Sequence, residues 1–338
     1  MYAARRKMLR SDLPAGILQT TMKIRTMVRG ALAFVVLPIL LGLVVVAATR
    51  LFDRTNGSII SSGRTRRFLV HVPPSYDRAK PTALVISMHG AAGWPRQQQN
   101  LSRWSRLADA QGFIVVYPAG TGFPQIWHVF QDAGLNRDVQ FISAMIDTLE
   151  HTYNIDSTRI YANGMSNGGG MAFVLSCTLS SRIAAIGLVA AAETLPWSWC
   201  KDQRPMPMIA FHGSADPIVP YKGGHSPLAP ESFPDVQSWV SSWARRNRCA
   251  PAPTDSTVAP DVTRRAYTGC ADSANVVLYT IRNGGHTWPG GKPLPRILFG
   301  ATTREIDATS EMWKFFRAHT RLADHDSTVA NTVHSTFR

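Results

Sequence analysis

Residues 159–175 read Arg159-Ile160-Tyr161-Ala162-Asn163-Gly164-Met165-Ser166-Asn167-Gly168-Gly169-Gly170-Met171-Ala172-Phe173-Val174-Leu175. The spacing predicts a strand over 159–162 and an apolar helix from 168 onward. Between them lies Gly164-Met165-Ser166-Asn167-Gly168, a G-x-S-x-G pattern in the strand-to-helix context that gives it meaning. A serine there sits exposed on a tight, strained turn. Close neighbours must be glycine so that strand and helix can approach. The helix N-terminus then faces the hydroxyl and favours developing negative charge. Ser166 is the candidate nucleophile.

Elements alternate on both sides of this stretch. Strands are expected over 67–72, 83–88, 113–117, 183–191, 208–212 and 276–281. Helices are expected over 101–111, 139–153, 233–246 and 305–319, with Asp138 as N-cap of the second. Strand and helix alternating in this way imply an α/β fold, a mostly parallel sheet with helices on both faces.

A serine hydroxyl needs a base, and the base needs an orienting carboxylate. Downstream come Phe211-His212-Gly213-Ser214-Ala215-Asp216-Pro217 and Asn283-Gly284-Gly285-His286-Thr287-Trp288, each just past an expected strand. Ligands in open parallel sheets bind outside the carboxyl ends of the strands. Ser166, Asp216 and His286 therefore converge on one edge as candidate catalytic residues. Asp216 also suits a plain turn before Pro217. His151 falls in a helix, His319, His325 and His334 lie at or beyond the last one, and His212 is read as a packing residue. Acyl transfer also needs donors for an oxyanion. The backbone N–H of Asn167 is one candidate. Ala91, in the loop Met88-His89-Gly90-Ala91-Ala92-Gly93, is the other, with Ala92 next.

Composition limits the alternatives. The 338 residues are 45% hydrophobic and 17% charged, which suits one large core and excludes a disordered chain or coiled coil. Net charge is +14, but residues 1–30 carry seven basic side chains against Asp12 alone. The rest of the excess is spread thinly, so a nucleic-acid partner is not expected. Residues 31–49 are uncharged between Arg29 and Arg50. That run reads either as the apolar part of a cleaved signal peptide or as a retained signal anchor with its N-terminus in the cytoplasm. Both send the remainder out of the cytoplasm, and this segment is the expected membrane contact. The chain divides into a basic segment 1–30, the apolar segment 31–49, a linker 50–63, a catalytic domain 64–322 and a polar tail 323–338.

Cys177, Cys200, Cys249 and Cys270 make an even set with three possible connectivities. The sequential one closes two short loops. No C-x-x-C or nearby ligand histidine supports a zinc site. Walker, HExxH, EF-hand and dinucleotide fingerprints are absent, so no cofactor or metal is expected. Trp94, Trp127, Trp197, Trp199 and Trp288 fall near the expected site, with Trp127 and Trp288 chosen as substrate-pocket residues.

Taken together, His89-Gly90, Gly164-Met-Ser-Asn-Gly168, His212-Gly-Ser-Ala-Asp216-Pro and Gly285-His286-Thr-Trp-Pro-Gly290 resemble the secreted polyhydroxybutyrate depolymerase and feruloyl esterase family over residues 58–322. The resemblance implies an α/β-hydrolase fold with no large cap domain, an extracellular or periplasmic carboxylic-ester hydrolase, and Ser166, Asp216 and His286 as its triad. It implies an ester substrate, of hydroxyalkanoate, phenolic or short-chain acyl type. It also supports the pairs Cys177–Cys200 and Cys249–Cys270. Two positions depart from the family pattern: Arg137-Asp138 where paired acids are common, and Trp127-His128 where Trp-Asn is usual. An acyltransferase on the same fold and a catalytically silent surface-binding module are the alternative functions.

Overall fold

The computed structural model describes residues 54–200, 204–226 and 232–321. The expected segments 1–30 and 31–49 and the tail 323–338 lie outside them. In chain order the strands are β1 (Gly57–Ser61), β2 (Arg64–His71), β3 (Thr82–Met88), β4 (Ile114–Pro118), β5 (Ile155–Met165) and β6 (Ala185–Val189). They continue as β7 (Met208–Gly213), β8 (Gly224–His225), β9 (Ser232–Phe233), β10 (Thr254–Ala259), β11 (Val262–Tyr267) and β12 (Val276–Ile281). The helices are α1 (Pro95–Ser102), α2 (Trp104–Gln111), α3 (Leu135–Thr152), α4 (Asn167–Thr178), α5 (Val236–Arg246), α6 (Arg296–Phe299) and α7 (Ala308–Arg317).

Ten strands form one sheet in the order β1-β2-β4-β3-β5-β6-β7-β12-β11-β10. From β4 to β12 all neighbours are parallel, and the outer strands at both ends are antiparallel. The central strands are apolar throughout because both faces are covered. On one face α3, α4 and α5 contribute Phe141, Met145, Phe173 and Trp243 to the core; on the other α1, α2 and α7 contribute Leu101, Trp104, Trp313 and Phe316. The expected α/β architecture is the one observed.

Three expectations need correction. The stretch read as a linker, 50–63, contains β1, which pairs antiparallel with β2 from Gly57↔Phe68 to Ser61↔Arg64. Its Gly and Ser residues suggested a loop, but a short edge strand tolerates them. Helix 101–111 is two helices, broken at Arg103, whose φ of 60° is left-handed. Asp138 is not an N-cap: α3 begins at Leu135, and Asp138 lies buried in its first turn against Arg66.

Parallel register aligns the strand ends. Gly164 of β5 pairs with Met88 of β3 and Leu188 of β6, while Val189 faces Phe211 of β7 and Gly213 faces Ile281 of β12. The residues that follow these strands therefore emerge at one edge.

Candidate active site

Ser166 follows β5 directly and caps α4, with φ 54° and ψ −124°. For a side chain larger than glycine this is a strained backbone, held by the amide of Ser166 donating to the Val189 carbonyl at 2.8 Å. The two glycines of the motif are there for space. A Cβ on Gly164 would collide with the Gly168 backbone, and one on Gly168 with the carbonyls of Met88 and His89. That close approach brings the N-terminus of α4 against the β3 loop.

Asp216 and His286 stand on the loops after β7 and β12. The loops are laced together: Ser214 N–H donates to Ile281 O at 2.8 Å and Ala215 N–H to Gly284 O at 2.9 Å. His286 Nδ1 lies 2.9 and 3.1 Å from the two Asp216 oxygens, with both side chains buried. A carboxylate only accepts, so Nδ1 carries the ring proton and Nε2 is left with its lone pair. Asp216 Oδ1 also accepts from the amides of Ile218 and Val219 at 2.8 and 2.9 Å. Burial pushes the Asp216 carboxyl up, but the His286 N–H, the nearby imidazoles and the Val219 amide outweigh it. The group is held below the usual carboxylate range.

The amide of Ala92 is committed to Gln125 O at 2.8 Å, whereas among the described residues no backbone acceptor engages the amides of Ala91 and Asn167. Ala91, Ser166 and Asn167 share the wall of one cavity of about 300 Å³. Of the two loop positions considered for the oxyanion, Ala91 is the one with a free donor at the cavity.

A chain of hydrogen bonds fixes this wall. The Asn167 side chain accepts from Trp127 N–H at 2.7 Å and donates to Trp127 O at 2.9 Å. The Trp127 indole donates to His89 O at 3.1 Å. His89 Nδ1 meets Gly90 O at 2.8 Å, and its Nε2 accepts from Gly120 N–H at 2.9 Å. Burial pushes the His89 imidazole down to about 4, so it stays neutral with its proton on Nδ1.

The remaining cavity wall is mostly apolar, with Ile126, Val129, Phe130, Ile218 and Val219 prominent. Trp127 lines it as expected. Trp288 does not: it is fully buried in the opposite-face core, its Nε1 donating to Thr309 Oγ1 at 3.0 Å. Proximity to His286 in sequence does not bring Trp288 to the cavity, because the chain turns between them. Trp197 likewise packs between Phe173 and Trp243. The residues overlooked in the sequence are Ile126, Val129 and Phe130. Their signal was a long loop, 119–134, carrying an apolar run, which in a compact domain points to function.

The disulfides are Cys177–Cys200 and Cys249–Cys270, the sequential pairing. The first ties the end of α4 to the loop after β6.

Residues 67–194 match the model of the family described as Esterase PHB depolymerase. Feruloyl esterase B of Piromyces equi is 32% identical over 235 residues, covering 67% of this chain and 44% of that protein. Feruloyl esterase C of Emericella nidulans is 26% identical over 271 residues, covering 78% and 87%. The chain thus spans less than half of the Piromyces protein and most of the Emericella one. The solved acetyl xylan esterase from Aspergillus awamori superposes with a TM-score of 0.56 at 17% identity, covering 77% of this chain and 98% of that one, a likeness of fold. The match over residues 67–194 and these relatives support the polyhydroxybutyrate depolymerase and feruloyl esterase family of α/β-hydrolases for this chain.

Proposed function

We propose that this protein is an exported carboxylic-ester hydrolase that works through an acyl-enzyme on Ser166. The observation that carries the reading is the buried Asp216–His286 pair at the sheet edge where the strained Ser166 emerges. His286 Nε2 takes the hydroxyl proton as Ser166 Oγ bonds to the ester carbon. The carbonyl oxygen becomes an oxyanion against the amides of Ala91 and Asn167, where fixed dipoles act without reorganising. Collapse breaks the bond to the alcohol, which leaves with the proton from His286. Water then repeats the sequence, releasing the acid. Asp216 holds the imidazole in its reactive tautomer and faces its transient positive charge.

The apolar cavity suits the hydrophobic half of an ester, with Asp132 and Thr194 as polar points on its wall. Two disulfides and the basic-flanked apolar segment 31–49 support export, since disulfides persist in oxidising compartments. Among the described residues no helix is long and apolar enough to cross a membrane.

The test is Ser166→Ala, assayed on p-nitrophenyl acyl esters, methyl ferulate and a hydroxybutyrate oligomer. A folded variant should lose about 10⁴- to 10⁶-fold in kcat. Substantial remaining activity would overturn the assignment.

A further inference from the structure

His212 takes no part in the reaction as described, yet it is fully enclosed beside it. It is the next-to-last residue of β7, its side chain is 1% exposed, and its Nε2 lies 3.5 Å from Asp216 Oδ2. The same nitrogen is 2.9 Å from the carbonyl of Val219. A carbonyl only accepts, so Nε2 bears a proton, and it points at Val219 O with the carboxylate just beyond hydrogen-bond range. His286, the opposite tautomer, meets the same Asp216 Oδ2 at 2.9 Å. Burial pushes the His212 imidazole down from its usual value, against the opposing pull of Asp216, which favours a neutral dipole there. Its ring meets Tyr221 edge to face at 5.8 Å, and the Tyr221 hydroxyl is paired with Thr280 Oγ1 at 2.7 Å, so the imidazole is locked from behind.

Val219 is therefore held through both of its backbone polar groups. Its N–H donates to Asp216 Oδ1 at 2.9 Å, and its C=O accepts from His212. We propose that His212 is a positioning residue: its Nε2–H closes the Asp216–Val219 turn and so fixes the direction in which the Asp216 carboxylate faces His286. Without that donor the Val219 carbonyl is left buried and unsatisfied, and the turn relaxes to find a partner. Rotation of the turn withdraws an amide from Asp216 and misaligns the carboxylate that sets the His286 tautomer. This inference rests on the reading of Asp216 as the orienting acid.

The experiment compares wild type, His212→Phe, His212→Asn, His212→Gln, Asp216→Asn and the double variant His212→Phe/Asp216→Asn on a soluble p-nitrophenyl ester. Thermal melts check folding, and Ser166→Ala serves as control. Phe keeps the ring without the donor, Asn has a donor too short to reach, and Gln carries an amide nitrogen out to the Nε2 position. His212→Phe and His212→Asn should lose about ten- to hundredfold in kcat with KM within about threefold, and His212→Gln should return to within about threefold of wild type. On the Asp216→Asn background His212→Phe should cost less than about twofold, because residues acting as a unit are not additive. Wild-type kcat in Phe and Asn would overturn the proposal, as would a Gln variant no better than Asn or a fully multiplicative double variant. Should His212→Phe not fold, the Asn and Gln variants decide between the outcomes. Activity in Ser166→Ala would instead sink the serine mechanism itself, a separate failure.

Discussion

Replacing Asp138 should cost this protein more than any surface charge. The carboxylate is fully buried, with Oδ1 2.9 Å from the Arg66 guanidinium and Oδ2 accepting the His128 amide at 2.9 Å. Arg66 is itself buried, lies 4.0 Å over the Phe141 ring and donates to Ala119 O at 3.2 Å. The Arg66–Asp138 contact is an ion pair rather than a well-aligned hydrogen bond. Asp138→Ala strands a buried cation, a loss of about 3–5 kcal/mol, and leaves the His128 N–H unsatisfied for about 1 kcal/mol more. Asp138→Asn keeps an acceptor for His128 and should cost about 2–3 kcal/mol. The double replacement Arg66→Met/Asp138→Leu removes both charges and should lose less than Asp138→Ala alone. Urea titrations at pH 7.5 measure all three. Because Arg66 and Asp138 brace the loop 119–134, KM should rise more than kcat falls. The argument fails if Asp138→Ala loses under about 1 kcal/mol, or if the apolar double variant is the worst of the three.

Glu193 carries the opposite sign. Burial alone pushes its carboxyl up to about 7, and its Oε2 is buried without a partner. The folded protein then holds a proton that the unfolded chain releases near about 4.3, so stability is full below that pH and is lost as pH rises through 7. Glu193→Gln should add about 1–3 kcal/mol at pH 8 and nothing at pH 4, read by urea melts at both; equal gains at the two would refute it. Asp216 is held below the usual range, so it stays ionised wherever the enzyme works, and the acid limb of kcat/KM should follow a single proton with unit slope. Asp216→Asn should lower kcat about 10⁴-fold with little change in KM. Asn167→Ala, which keeps the backbone donor but frees Trp127, should reduce kcat/KM about tenfold, mainly through KM; an unchanged value would show that the loop is held elsewhere.

What could be read from the sequence was what local chemistry or uniform burial specifies. The strand ends are legible because strands covered on both faces are continuous apolar runs. The turn at Ser166 is legible because Gly164 answers a clash with Gly168, within the same five-residue motif. The pairing of Asp216 with His286 follows from two strand ends in the expected order. The rest depends on contacts between distant segments. The hairpin β10–β11, mostly exposed on β10 and rich in Thr, Asp, Ser and Arg, has no apolar signature to read. Asp138 looked like a cap because nothing in its neighbourhood announces Arg66, a strand away. Trp288 looked like a pocket residue, but the direction of a side chain after a glycine pair is set by what it packs on.

Under the proposed mechanism, reaction and substrate choice are held by different parts of the molecule. Sheet register and the laced loops after β7 and β12 fix Ser166, Asp216 and His286. The cavity wall hangs instead on side chains: Asn167 on Trp127, Trp127 on His89, and His89 on Gly120. His89 remains neutral far below physiological pH, so this chain of bonds does not change around neutrality. Substitutions at Ile126, Val129 or Phe130 alter the cavity without entering that chain or the Asp216–His286 pair. Such a layout lets the cavity diverge toward different esters while the catalytic geometry stays fixed, which is how one fold comes to host many substrates.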